Sequence, residues 1–463
     1  MKIARISSTA VADLARRVRG PVLLPGQDGY DRERAGFNQA VDHHPALVVG
    51  AAEAADVQAA VGFAVEHGLP LAVQATGHGA SIPADGALLI STRRMDGVRI
   101  DPRRRSARIE AGVRWQQVIE RAAEVGLAPL NGSSPLVGAV SYTLGGGLPV
   151  LGRTHGWAAD HVRGIEVVTA DGRLRTATPD RYGDLFWALR GGKGNFGVVT
   201  SLEIGLVAVS RLYGGGLYFP GEAAGGVLHA WRRWTASVPE ELTSSVALLR
   251  LPDLPDLPAP LRGRFVVHVR IAYLGSAARG EELLRPLREI GGRIADTVGD
   301  MPYRAVAAIH ADPTEPTPYH ERSMMLRELP GPAVDTLLEL AGPGADCPID
   351  MVELRHLGGA LARTPEVPNA TGNRAAAYSL SAVSPAGPQQ TDEVTGYPEL
   401  LLQRMTPWST GRSFLNFLGG PDTAGQVRDA YAPEDWARLT GIKAVYDPDN
   451  LFRINHNIPP TSL

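Results

Sequence analysis

The sequence has a single cysteine, Cys347, among its 463 residues. One thiol excludes a disulfide within the chain and any metal site built from several cysteines. No apolar run reaches the ~20 residues that span a membrane, and residues 1–20 lack the apolar core of a signal peptide. Because reducing compartments keep thiols free, these absences together predict a cytoplasmic protein.

A strong excess of charge is also absent. The net charge is −3, and charged residues make up 21% of the chain. Without a basic excess to attract phosphates or anionic lipids, we expect no nucleic acid and no membrane partner, and instead a small-molecule substrate. The basic segment 99–108 lies between two strand-like runs and predicts a solvated hairpin. A monomer and a homodimer both remain open.

Several catalytic motifs are missing. No G-x-S-x-G elbow occurs, which argues against an α/β-hydrolase. There is no P-loop and no G-x-G-x-x-G between a strand and a helix. Metal ligands also lack partners at suitable spacing. Prolines separate the possible ligands His310, Asp312, His320 and Glu321, and these prolines predict an irregular loop. We therefore predict no metal site.

Strand and helix patterns alternate along the chain and predict an α+β protein. Short apolar or alternating runs predict strands at 46–50, 71–74, 87–91, 107–112, 198–207, 264–275 and 349–359. Amphipathic stripes predict helices at 9–18, 52–68, 115–126 and 276–292, and a further helix in the tail. The changes in character predict a domain at 1–209, a second α+β domain at 210–420 and a distinct C-terminal segment at 421–463.

Glycine-rich segments are the most unusual feature that is present. Residues 132–156 contain seven glycines, and residues 190–197 contain four more. Counted along the chain, the first such segment is 74–79, in which His78 stands between two glycines, and 132–156 and 190–197 are the second and third. Such loops expose backbone N–H groups that bind phosphate oxygens. Turns alone explain one such loop, but three of them favour a large phosphate-bearing ligand.

His78 has three interpretations. A lone loop histidine is most often structural. A metal role lacks ligands, since His67 and Asp85 do not stand at ligand spacing. A nucleophilic role requires an electrophilic partner such as a cofactor.

Three segments resemble, in order, the FAD-linked oxidoreductases of the berberine bridge enzyme-like family, within the PCMH-type (vanillyl-alcohol oxidase) flavoprotein superfamily. They are "QATGHG" at 74–79, "SSPLVGAVSYTLGGGLPVLGRTHGWAADHV" at 133–162 with "DLFWALRGGKGNFGVVTSLEI" at 184–204, and "IKAVYDPDNLFRINHNIPP" at 442–460. The resemblance implies a PCMH-type FAD-binding domain of two α+β subdomains and a substrate domain whose antiparallel sheet lies over the flavin. It also implies a C-terminal segment that returns to the FAD domain.

The resemblance implies that His78 is bonded covalently to the 8α-methyl of FAD. Neutral imidazole is a competent nucleophile near neutral pH, and its attachment makes the flavin a stronger oxidant. The other cofactor-binding residues that it implies are Ala75, Thr76, Gly77, Gly79, Ser134, Val137, Gly138, Tyr142, Gly145, Gly146, His155, Gly194, Gly197, Val199, Asn416, Asn455 and Asn457.

The sequence departs from the family pattern at three positions. Ser134 stands where many members carry a second flavin-linked cysteine, so a single covalent bond is expected. Gln74 replaces an arginine, which leaves the pyrophosphate to backbone N–H groups. Phe414 replaces the tyrosine that is the usual candidate base, and we expect it to contact substrate instead.

The family chemistry is removal of hydride from a C–H bond to FAD while a base takes a proton from the adjacent O–H or N–H, with O2 as the usual final acceptor. With Phe414 in place of tyrosine, the candidate bases are Tyr142, Tyr378 and Glu353. The alternation in 349–359 puts Glu353 and Arg355 on one face, and Arg355 is then a substrate anchor. Packed tyrosines and a solvated Glu353–Arg355 pair are the structural alternatives.

The substrate remains open between two classes. Carbohydrate sites need aromatic platforms, yet only Trp231, Trp234 and Trp408 lie between residues 210 and 420. We therefore expect a small, rather apolar secondary metabolite. A carbohydrate or alcohol oxidase is the alternative, as is a flavin-containing cyclase or binding protein without net redox chemistry.

Overall fold

The N-terminal segment forms a small sheet of mixed direction. In the computed structural model, which describes residues 6–79, 82–386, 392–419 and 421–461, it contains α1 (Ser8–Arg17), β1 (Val22–Leu23), α2 (Tyr30–Arg34), β2 (Leu47–Gly50), α3 (Ala54–Glu66), β3 (Leu71–Gln74) and β4 (Leu88–Ser91). The strand order is β1-β2-β4-β3, with parallel pairing except at β1. All residues of β2 and β4 are buried, as expected for parallel strands covered on both faces.

The next segment forms a five-stranded antiparallel sheet in the order β5-β6-β9-β7-β8. Its elements are β5 (Val98–Asp101), β6 (Ser106–Glu110), α4 (Trp115–Ala123), α5 (Ala139–Leu144), α6 (Gly152–His155), β7 (Val162–Val168), β8 (Leu174–Ala177), α7 (Gly183–Leu189) and β9 (Val198–Gly205). The predicted basic hairpin is confirmed, since β5 and β6 pair from Val98 to Asp101. The glycine-rich segment 132–156 is not all loop, because α5 and α6 lie within it.

The third segment forms a large antiparallel sheet in the order β13-β10-β12-β11-β16-β17-β15, with β14 also on β10. Its strands are β10 (Arg211–Pro220), β11 (Leu242–Arg250), β12 (Phe265–Tyr273), β13 (Ala295–Asp296), β14 (Gly299–Pro302), β15 (Tyr319–Leu326), β16 (Met351–His356) and β17 (Tyr378–Pro385). Its helices are α8 (Ala224–Thr235), α9 (Ala277–Arg288), α10 (Gly331–Ala341) and α11 (Asp392–Met405). The predicted α+β class is confirmed.

The two faces of the large sheet differ. Alternate side chains such as Val267, Val269 and Leu354 form an apolar core with Val227 and Leu337 of the helices. The residues between them in sequence point to the opposite face, because successive side chains of a strand alternate. That opposite face carries the polar residues of the candidate site.

The irregular loop predicted from the prolines of the segment 310–321 is confirmed for residues 310–318. The prediction does not hold for the end of the segment, because β15 begins at Tyr319, directly after the last proline. A proline just before a strand costs no ladder hydrogen bond. His320 and Glu321 therefore lie on a strand. Among the described residues no group of His, Cys, Asp and Glu is arranged to hold a metal ion, and no helix is long and apolar enough to cross a bilayer.

The tail begins with α12 (Pro433–Tyr446) and packs on the glycine-rich segment 190–197. Lys443 is fully buried, and its Nζ donates to the Asn195 carbonyl at 2.7 Å and to Asp447 Oδ2 at 2.5 Å. Asp447 also accepts from the backbone N–H groups of Leu451 and Phe452. Asn195 in turn accepts from the N–H of Ile458 at 2.9 Å. These contacts fix the tail against the loop.

We expect Lys443→Met to lower the free energy of unfolding by about 3 kcal/mol, because removing one partner leaves a buried carboxylate without its cation. Urea denaturation followed by circular dichroism measures the change. Glu339→Gln breaks the exposed pair with Arg404 and should cost less than about 1 kcal/mol. Equal effects of the two substitutions would contradict a structural role for the buried pair.

Candidate active site

A cavity of about 1420 Å³ lies between the glycine-rich loops and the polar face of the large sheet. Its walls include residues of all three glycine-rich segments, of β12, β15 and β16, and of the tail. Pockets for a single small ligand usually measure roughly 300–1,000 Å³. This cavity is larger and has space for an extended ligand beside a smaller one.

The loop 75–79 presents bare backbone to the cavity. Gly77 has φ +73°, and a Cβ there would lie 2.5 Å from the Gly36 Cα, so only glycine fits. The carbonyls of Thr76 and Gly77 accept hydrogen bonds from the N–H groups of Phe37 and Asn38. The N–H groups of Thr76, Gly77 and His78 donate to no other described residue. They are free to bind anionic oxygens.

His78 is held in a defined position in this loop. Its ring stacks on Phe37 with centroids 3.9 Å apart, and its Nδ1 lies 2.9 Å from the Thr76 hydroxyl. Its carbonyl accepts a hydrogen bond from the Tyr319 hydroxyl at 2.7 Å. Burial, with a smaller contribution from Arg114, lowers the pKa of His78 to about 4. The imidazole is therefore neutral at physiological pH, and its buried Nε2 has no partner among the described residues.

The segment 132–147 encloses Tyr142. A Cβ at Gly132 or Gly147 would lie 2.8 or 2.4 Å from the Tyr142 ring, so both glycines are needed for its position. The Tyr142 hydroxyl is buried without a partner in the described chain, and burial raises its pKa well above the usual value. The Asn416 side chain donates to the Tyr142 carbonyl at 2.9 Å. The Gly138 N–H donates to the Thr76 hydroxyl at 3.2 Å and joins this segment to the first loop.

Lys193 projects from the third glycine-rich segment. It has φ +54°, a conformation that is costly for a residue with a side chain. Its Nζ lies 3.1 Å from His456 Nδ1 and 3.3 Å from the Leu415 carbonyl. Burial lowers the pKa of Lys193 to about 7. The sequence drew attention to the glycines here, whereas the lysine among them was missed.

A buried ionic network lies on the polar face of the sheet. Glu353 Oε1 accepts from Arg270 at 2.6 Å and from the Ser245 hydroxyl at 2.7 Å, and Glu353 Oε2 accepts from Arg355 at 2.8 Å. Burial opposes ionisation, but Arg355 and Arg270 outweigh it and hold the pKa of Glu353 well below its usual range. Glu353 is therefore a carboxylate whose oxygens are already engaged. The pair Glu353–Arg355 is not solvated, because Glu353 is fully buried.

Glu321 lies on the same face and was not identified as a catalytic candidate. It is on β15, and its side chain lines the cavity together with Arg355 and Lys193. Burial, the largest effect, raises the pKa of Glu321 to about 8. The sequence carried no clear signal for this part of the strand, because His320 and Arg322 stand between Tyr319, Glu321 and Ser323 in place of an apolar alternation, and prolines precede them.

The structure brings many of the predicted site residues to the cavity. Those that line it are Ala75, Thr76, Gly77, His78, Gly79, Ser134, Val137, Tyr142, Gly194, Gly197, Val199, Arg355, Asn416 and Asn455. Gly138, Gly145 and Gly146 are not in the lining, and Gly145 lies against Asn416, which is. Glu353 lies behind the wall, covered by its two arginines.

Four further predicted residues are outside the cavity lining. Tyr378 is on β17 but on the helix face, where its hydroxyl lies 2.9 Å from that of Thr235, because the strand pleat places it with Leu380 rather than with Ser379. Phe414 packs against Trp157, with ring centroids 5.1 Å apart, instead of lining the cavity. His155 is in α6, outside the lining, as is Asn457 in the tail.

The residues present fit an FAD molecule. The cavity has the required size, the loop N–H groups can bind a pyrophosphate, and a neutral histidine stands beside them. Some buried polar atoms have no partner among the described residues and are available to a ligand, such as Tyr142 Oη, His78 Nε2 and Asn455 Oδ1.

Comparison with known proteins agrees with this fit. Residues 45–178 match the FAD binding domain family, and residues 413–459 match the berberine and berberine-like family. The chain is 28% identical to (R)-6-hydroxynicotine oxidase of Paenarthrobacter nicotinovorans, over 96% of this chain and 97% of that protein. It is also 28% identical to an uncharacterized FAD-linked oxidoreductase of Bacillus subtilis, over 96% and 99% of the two chains.

Solved structures share the fold at lower identity. The BBE-like 1 protein of Physcomitrella patens superimposes with a TM-score of 0.85 at 19% identity, covering 98% of this chain and 100% of that one. Berberine bridge enzyme from Eschscholzia californica gives 0.83 at 18% identity, covering 98% and 99%. The chain therefore contains an FAD binding domain and a C-terminal segment that matches the berberine and berberine-like family, and its relatives show it to be an FAD-linked oxidoreductase.

Proposed function

We propose that this oxidoreductase is an oxidase that removes hydrogen from a C–H bond next to oxygen or nitrogen in a small, rather apolar molecule. The observation that carries the proposal is the single cavity in which the glycine-rich loops face the polar side of the large sheet. Bound FAD supplies the acceptor for the hydrogen and electrons that leave the substrate carbon, and we propose O2 as the final acceptor. The protein must hold and orient both molecules.

The loops would hold the cofactor. The N–H groups of Thr76, Gly77 and His78 would bind its pyrophosphate. Tyr142 and Asn455 would contact it with polar atoms that have no partner in the described part of the chain. His78 would carry it through one covalent bond. The neutral imidazole supports this role, because a protonated ring is not a nucleophile. Ser134 lines the cavity but offers no thiol for a second bond.

The opposite side of the cavity supports an apolar substrate with one polar group. Leu249, Phe265, Met351 and Val383 line it, and no tryptophan is found among its described lining residues. Arg355 also lines this side, and we propose it as the substrate anchor. The similarity to (R)-6-hydroxynicotine oxidase over nearly the whole chain supports the same class of small molecule.

Covalent attachment is tested by acid precipitation of the purified protein. We expect a yellow pellet from the native protein and a colourless pellet, with FAD in the supernatant, from His78→Ala, because no other nucleophile is proposed. His44→Ala changes an exposed histidine in an ion pair with Asp42 and should leave the pellet yellow. A colourless pellet from the native protein would exclude the covalent bond.

Oxidase activity is tested by anaerobic mixing with (R)-6-hydroxynicotine, N-methylbenzylamine and benzyl alcohol. At least one of them should bleach the flavin absorbance, and air should restore it, because hydride transfer reduces the cofactor. Glucose and cellobiose serve as the carbohydrate comparison and should not bleach it. Bleaching by the sugars alone would identify a carbohydrate oxidase, and no bleaching by any compound would favour a protein without net redox chemistry.

A further inference from the structure

The two glutamates on the polar face of the sheet differ in how their oxygens are used. Glu353 accepts hydrogen bonds from Arg270, Arg355 and Ser245. Glu321, by contrast, has no hydrogen bond or ion pair through its carboxyl group to any described residue. A carboxylate that already accepts several hydrogen bonds is a poor proton acceptor. Of these two groups, only Glu321 has both carboxyl oxygens without a hydrogen bond from the described residues.

Backbone hydrogen bonds hold Glu321 at the edge of the cavity, beside residues 416–419. Glu321 pairs with Val383 of β17 in the sheet. The backbone carbonyl of Glu321 accepts a hydrogen bond from the Gly419 N–H at 3.1 Å. Asn416 and Phe417, which precede that glycine, line the same cavity. The carboxyl group thus stands where the large sheet meets the loops that hold the cofactor.

We propose that Glu321 is the proton acceptor for substrate oxidation in this cavity. The proposal rests on the proposed oxidase function and adds the residue that completes its chemistry. The O–H or N–H bond of the substrate breaks, its proton goes to the Glu321 carboxylate, and its electron pair forms the new double bond to carbon. The carbon-bound hydrogen leaves with two electrons to the FAD, so atoms and charge balance.

The charged groups around Glu321 come from three elements. On β16, Arg355 lowers the pKa of Glu321 and Glu353 raises it. Asp312, in the loop before β15, raises this pKa, and Lys193, in the third glycine-rich segment, lowers it. On the opposite face of β15, Arg322 pairs with Glu399 of α11.

Burial exceeds the effect of these charges and raises the pKa to about 8. The carboxyl is therefore mostly protonated at pH 7 in the free enzyme, and its proton-accepting form grows as pH rises through 8. A base with a pKa near the working pH is efficient.

The first measurement is an infrared pH titration of the FAD-loaded enzyme without substrate. The native protein should show a protonated carboxyl carbonyl band that disappears with a midpoint at about pH 8. Glu321→Gln should lack this band. Glu315→Gln, the same change at an exposed position of the cavity rim, should keep it. A band that persists in Glu321→Gln, or no band that titrates between pH 6 and 10, would overturn the proposal.

The second measurement is the rate of anaerobic flavin bleaching by N-methylbenzylamine and benzyl alcohol. Loss of a general base slows such steps by about 100-fold or more, so Glu321→Gln should be slowed by that factor and lose the rise in rate near pH 8. Glu321→Asp, which retains a carboxylate, should recover part of the rate. A native rate and pH profile in Glu321→Gln would refute the role while leaving the oxidase function intact.

Failure of the function itself gives a different pattern. If neither probe bleaches the native enzyme while the infrared band titrates as expected, the oxidase proposal fails for these substrates, and the proton-transfer role fails with it. If the probes bleach but the band is absent, only the assignment of Glu321 is overturned.

Discussion

The ion pairs around Glu353 are the interaction on which the polar face of the large sheet depends. Two guanidinium groups, Arg270 and Arg355, share one fully buried carboxylate. A buried pair is not by itself a strong source of stability, but removing the carboxylate would leave two cations without compensation. The network therefore fixes the orientation of Arg355 toward the cavity, where Arg355 also lies over the Phe417 ring at 5.0 Å.

The ion pairs around Glu353 also set the charge at one edge of the cavity. Since Glu353 is occupied, the network carries a net positive charge at the edge of the site. Glu321 and Lys193 line the same cavity, and burial moves the pKa values of both groups toward neutrality, from opposite directions. Shifted values of this kind are typical of functional sites, where environment sets the proton affinity of each group.

The cofactor side is organised by a different constraint, the close approach of backbones. Gly77 meets Gly36, and Gly132 and Gly147 hold the ring of Tyr142 between them. The tail also holds these loops in place. In the third glycine-rich segment, Asn195 accepts hydrogen bonds from Lys443 Nζ and from the Ile458 N–H. The loops are thus positioned by packing and hydrogen bonds of the protein itself.

The sequence by itself determined the α+β class, most of the strands and helices, the family and the loop that carries His78. These follow from local periodicity and from glycine spacing, which are properties of short segments. It did not determine which face of β17 would meet the cavity. The sequence therefore suggested Tyr378 as a base, whereas this side chain lies on the helix face of the sheet. It also did not reveal that the oxygens of Glu353 would be engaged by arginines from two strands, or that Glu321 would stand free. Only the tertiary structure decided these points, because pairing between β11, β12, β15, β16 and β17 brings together residues as far apart in sequence as Ser245 and Glu353, which are separated by 108 positions. Burial, which sets the pKa values, arises only from that assembly.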